Sequence, residues 1–151
     1  MRFLFLIFFS FFTFFCFSQD CISEDAKIKR MCNRVSNLIA KKQFYKAQNL
    51  LKKTKENKDI PEINRLFSIL YWNQNKNLLA EEFALKTLEI CPDKDPLLYY
   101  FLGEINYKRK MYVDASKYLK RAITLGLNEN SKKKAEEMQE KAKVIAQIIL
   151  N

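Results

Sequence analysis

The chain has 151 residues and a mass of 18.0 kDa, with 27 Lys and Arg against 17 Asp and Glu, no histidine, two glycines and three prolines. So few turn residues in a chain rich in Lys, Glu, Leu, Asn and Ala predict an all-α protein and exclude a small β-sandwich or barrel. The missing histidine excludes a Ser/His or Cys/His nucleophile, and glycines at 103 and 126 alone leave no phosphate-cradling loop, so no enzymatic activity and no cofactor are expected.

Residues 1–18 read as a segment apart. One early cation, Arg2, precedes a nearly unbroken apolar run from Phe3 to Phe17, and Cys16-Phe17-Ser18 places small residues at the two positions a signal peptidase reads. As a helix the run would span about 22 Å, short of the roughly 30 Å hydrocarbon core. A cleaved signal peptide ending at Ser18 is the expectation, with an uncleaved membrane anchor as the alternative. Export would place the protein in the periplasm or cell envelope, or outside the cell. Neither Cys16 nor Cys21 follows the small-residue box that lipidation needs. Without the leader the net charge is still about +9, which in an exported protein suits a solvated basic face, acidic partners or anionic envelope surfaces; nucleic acid is not expected.

After a lead-in over 19–27, three units of two helices each are predicted at 28–60, 61–94 and 95–127. In the first, a helix over about 26–40 carries Met31, Val35, Leu38 and Ile39, and Lys41–Thr54 carries Phe44, Ala47, Leu50 and Leu51. Cys21 and Cys32 form the natural disulfide candidate of an exported protein. A helix starting near Ser23 would set Cys32 about 14 Å along it, however, against the about 7 Å a disulfide allows, so Cys21 would have to fold back. No C-x-x-C occurs, and no zinc or redox site is expected.

In the second unit Pro61 opens a helix over about 62–74 bearing Ile63, Leu66, Phe67, Leu70 and Tyr71. The stretch Asn77–Pro92 follows with Ala80, Phe83, Ala84, Thr87 and Leu88. In the third, Asp95 suits an N-cap and Pro96 a first turn. Leu98, Phe101, Leu102 and Ile105 then form a stripe over about 96–109, and after Lys108-Arg109-Lys110 a second stripe runs through Tyr112, Ala115, Leu119, Ala122 and Leu125 to a stop at Gly126. Gly103 and Ala115 fall where two antiparallel helices would come closest. Ala47, Ala80 and Ala115 recur 33 and 35 residues apart, and Phe83 and Tyr118 are also 35 apart, a period near 34 that indicates stacked repeats. The tail, 128–151, places Ala135, Met138, Ala142, Ile145 and Ile149 on one helical face and predicts a seventh, covering helix.

These positions resemble the tetratricopeptide repeat family. Leu102-Gly103, Tyr112, Ala115, Leu119 and Ala122 fit its small and large positions in the third unit; Tyr71, Ala80, Ala84 and Pro92 fit in the second, and Phe44, Ala47 and Leu51 in the first. Asn77 and Asn106 depart from the usual aromatic, Thr54 and Thr87 from alanine, and Arg34 from an apolar residue. The resemblance implies a right-handed α-solenoid of three helical hairpins with a capping helix, whose first helices line a groove. Its lining would be Ser36 and Ile39; Arg65, Ile69, Trp72 and Asn73; and Tyr100, Glu104, Tyr107 and Lys108. Aromatic and Arg side chains often carry about 2 kcal/mol or more each at such surfaces. The implied role is protein–protein interaction, as an adaptor or assembly factor in a bacterial envelope, with a partner protein or peptide of acidic character. A basic protein lying on or anchored to a membrane surface is the alternative.

Overall fold

The computed structural model describes residues 23, 25–54 and 60–150. The expected leader over 1–18, and Cys21 with it, lies outside the described residues. Among those described, the protein is all-helical, with seven helices and no strand: α1 Ala26–Ala40, α2 Phe44–Thr54, α3 Pro61–Asn73, α4 Asn77–Ile90, α5 Pro96–Lys108, α6 Tyr112–Leu125 and α7 Glu129–Leu150. None of these helices is long and apolar enough to cross a membrane.

Local chemistry sets the helix starts. The Asp25 carboxylate accepts the Lys27 N–H at 2.7 Å to open α1, and the Asp95 carboxylate accepts the Leu97 N–H at 2.9 Å to open α5. Pro61 and Pro96 occupy first-turn positions, where the missing N–H costs nothing. Asn128 accepts the Ser131 N–H at 3.0 Å at the head of α7.

The ends of α1, α3 and α5 share one device. Lys42, Asn75 and Lys110 all take left-handed backbone, with φ of 57°, 58° and 61°. Each then donates its N–H three residues back, to Ile39, Trp72 and Tyr107, at 2.9–3.0 Å. The next N–H, of Gln43, Lys76 and Met111, reaches five residues back to Leu38, Tyr71 and Asn106 at 2.8–2.9 Å. This pair of bonds satisfies carbonyls that the helix end would otherwise leave open, and it turns the chain sharply enough for the next helix to run back. Gln43, Lys76 and Met111 then supply the carbonyls that accept from Ala47, Ala80 and Ala115 at 2.9–3.1 Å. The period read from the alanines is thus also a period of turns.

Packing follows the pairs. The contacts α3 with α4, α5 with α6 and α6 with α7 are extensive, whereas α1 with α2 is smaller; α1 also touches α3, and α3 touches α5. One apolar cluster centres on Phe67, Tyr71 and Phe83 and includes Val35, Ala47, Leu51 and Ile105. A second gathers Leu98, Phe101, Leu102, Leu119 and Ala122, with Leu127 and Ala135 from the approach to α7 and from α7 itself. Ile69 and Trp72 pack against both clusters.

Small residues decide how closely the pairs approach. A Cβ on Gly103 would stand 2.5 Å from Leu119 Cγ and 3.3 Å from its backbone nitrogen, so α5 and α6 meet at a point that only glycine permits. Ser68, fully buried, stands 35 residues earlier and donates its hydroxyl to the Ala80 carbonyl at 2.9 Å across the α3–α4 contact. Gly126 takes the left-handed conformation, φ 95°, where α6 ends.

The cysteines correct one expectation. Cys91 is buried and disulfide-bonded, whereas Cys32 keeps a free thiol, so the Cys21–Cys32 bond is not formed. Burial, followed by the Glu62 charge, pushes the Cys32 thiol up, which keeps it protonated at neutral pH and unsuited to act as a nucleophile.

Candidate functional site

The ten candidate residues lie on α1, α3 and α5, and the structure divides them into smaller groups. Ser36 and Ile39 of α1 and Ile69 and Asn73 of α3 come together around a cavity of about 330 Å³, which Ala40, Lys42 and Leu66 complete. The Asn73 side-chain amide donates to the Ile69 carbonyl at 2.8 Å, so its oxygen remains for a ligand. Apolar walls with a few polar atoms at the rim are the usual character of a recognition pocket.

Arg65 is engaged elsewhere. Its Nε pairs with Asp95, the same carboxylate that caps α5, so its charge ties α3 to the head of α5 and is largely spent there. On the same side the Ser23 N–H donates to the Glu62 carboxylate. Trp72 lies flat on Phe101, ring centroids 4.4 Å apart and planes 20° apart, and joins the two apolar clusters instead of standing free.

Tyr100 is buried, and its hydroxyl donates to Glu104 Oε1 at 3.2 Å. Burial, reinforced by the Glu104 charge and this hydrogen bond, pushes the phenol up to about 12. Glu104 Oε2 is buried and accepts from no donor among the described residues. Tyr107 packs edge-on to Tyr112, centroids 5.4 Å apart, and lines a different cavity of about 300 Å³ with Glu140, Lys141, Val144 and Ile145 of α7. Lys108 is exposed and forms no ion pair among the described residues.

Sequence reasoning thus grouped by helix what the structure groups by cavity. It missed Ala40, Lys42 and Leu66, which carry no chemical signal of their own. It missed the α7 wall beside Tyr107 because the stripe from Ala135 to Ile149 favours a covering role for that helix over a binding one. It also missed a basic cleft of about 480 Å³ lined by Arg30, Asn33, Arg34, Asn37, Leu38, Lys41 and Gln43. Arg30, Arg34 and Lys41 stand four and seven residues apart, a helical spacing that would have placed all three on one stripe.

Elsewhere the charges are structural. Arg121 holds Asp93 by hydrogen bonds from Nε, at 2.8 Å, and from its terminal nitrogen, which together with the Tyr99 hydroxyl keep the Asp93 carboxyl below its ordinary value. Arg109 reaches Glu81 at 2.5 Å. Among the described residues no group of three or more Cys, Asp or Glu could hold a metal ion. Compared with known proteins, the chain matches no family model and no curated protein.

Proposed function

We propose that the protein is a protein–protein interaction module of tetratricopeptide-like architecture, a solenoid of three helical hairpins closed by α7, acting as an adaptor or assembly factor in a bacterial envelope after export. The cavity between α1 and α3 carries this reading: two first helices of successive pairs present Ser36, Ile39, Ile69 and Asn73 to one space of about 330 Å³. The pairing of Arg65 with Asp95 leaves this surface weakly charged, so recognition here rests on shape and apolar contact.

The test is affinity capture from envelope extract of the source cell, with the wild-type protein beside a Ser36→Glu/Asn73→Glu variant. Both positions are exposed, so helicity by circular dichroism should be unchanged. A partner held by the wild type and lost by the variant is the expected result; equal capture by both would sink the cavity as the site.

A second reading, a membrane-surface protein, draws on one observation: Ile148, Ile149 and Leu150 at the end of α7 are 70%, 67% and 76% exposed. Sedimentation with anionic vesicles that is lost in an Ile148→Ser/Leu150→Ser variant would favour it.

A further inference from the structure

The positive charge is concentrated in the first helical pair. Residues 25–54 carry nine Lys and Arg against a single acid, Asp25, a net +8, while residues 60–150 carry fifteen against twelve, a net +3. The side-chain ion pairs of Arg65, Lys86, Arg109, Lys117 and Arg121 all lie in the second stretch, and among the described residues none is formed by Arg30, Arg34 or Lys41. On α1 and at its C-cap, Lys41, the residues Arg30, Asn33, Arg34, Asn37 and Lys41 recur at helical spacing on one exposed stripe, opposite the buried Val35 and Ile39. Gln43 from the following turn and Leu38, which also packs on the core, complete a cleft of about 480 Å³.

Like charges one turn apart, such as Arg30 and Arg34, disfavour the helix that carries them. No carboxylate among the described residues pairs with either arginine, and a bound anion would relieve the repulsion.

We propose that this cleft binds an extended, carboxylate-rich segment of a partner protein. Arg30 and Arg34 are about 6 Å apart along the helix axis, and Lys41 lies about 10 Å further on. Side chains on one edge of an extended peptide recur about every 7 Å, so Arg30 and Arg34 meet alternate residues of such a segment. The guanidinium fork accommodates a carboxylate with two parallel hydrogen bonds. Asn33, Asn37 and Gln43 both donate and accept, which a peptide backbone requires and a phosphate, an acceptor only, does not use. No lining residue is aromatic, so the cleft lacks the platform on which bases of single-stranded nucleic acid stack. The cleft is also concave, where a lipid surface is flat. Because it occupies a different face of α1 from Ser36 and Ile39, the inference does not depend on the α1–α3 cavity.

Fluorescence anisotropy of the purified protein with labelled octa-glutamate at low salt tests this, with octa-glutamine as the neutral probe. Arg30→Gln/Arg34→Gln removes two exposed like charges and should not unfold α1. It is expected to weaken octa-glutamate binding by about tenfold or more, whereas Lys133→Gln/Lys134→Gln on α7, removing the same charge, should change it by less than about twofold. Equal losses in the two variants would reduce the cleft to a share of net charge and overturn the proposal. So would failure to bind octa-glutamate, equal binding of octa-glutamine, or tighter binding of octa-thymidylate or phosphatidylglycerol vesicles.

Discussion

The first helical pair, α1–α2, and the third, α5–α6, turn on the same backbone bonds and share an alanine at the same place, Ala47 and Ala115, yet they meet at different residues. Facing α2 is Val35, fully buried; at the corresponding place facing α6 is Gly103, with Leu119 directly on its backbone. The α5–α6 contact is correspondingly the more extensive, and α7 covers α6 in addition, while α1 leaves a charged stripe in solvent. Between them, α3–α4 uses Ser68, small but polar, and recovers the hydroxyl's desolvation with a hydrogen bond to Ala80. The size of a single side chain at one repeated position therefore grades the closeness of all three contacts.

Moving the first pair's residue into the third should break this gradation most severely. Gly103→Val places methyls where Leu119 already stands and is expected to cost about 3 kcal/mol in urea unfolding. Trimming the other end, Val35→Ala, leaves a cavity between α1 and α2 and should cost about 2 kcal/mol. Ser68→Ala removes a buried donor whose acceptor also serves its own helix, so a loss of about 1 kcal/mol is expected. Lys110→Gly relieves an L-residue held at φ 61° and should stabilise by about 0.5–1 kcal/mol, read as a higher urea midpoint. The effect that is smallest at neutral pH belongs to the alkaline range. Cys32 of the first pair and Tyr100 of the third stand at corresponding positions, and burial raises both. With Tyr100 at about 12 when folded and an ordinary value of 10.0, the unfolded chain loses its proton first. The phenol's contribution is therefore complete below pH 10 and lost between pH 10 and about 12. In Tyr100→Phe the fall of stability across that window should be shallower, and the highest-titrating tyrosinate absorbance should vanish.

Much of this was legible in the sequence where a residue type has one physical meaning. Asp95-Pro96 opens a helix because a carboxylate accepts a free N–H and proline needs none, and Gly126 ends one because left-handed backbone suits it. Gly103 read correctly as a point of close approach. The turns at Lys42 and Lys110 were not legible as left-handed, since lysine has no preference for that backbone and the two-bond closure imposes it. Nor was the division of the candidate site. Trp72 and Arg65 look like binding residues by type, but Phe101 and Asp95 already partner them, pairings that arise only when α3 and α5 come together, while Tyr100 bonds Glu104 one turn further along its own helix.

The recurrence of one corner has a consequence for how the chain could be shortened. Deleting residues 76–110 would join Asn75 directly to Met111, the residue that follows the third corner, and Ala115 would then stand where Ala80 now does. The same two bonds could close the new junction, with α3 running into α6. Two helices could thus be removed together without a new kind of joint, because the corner that would replace them is already built twice over in the chain.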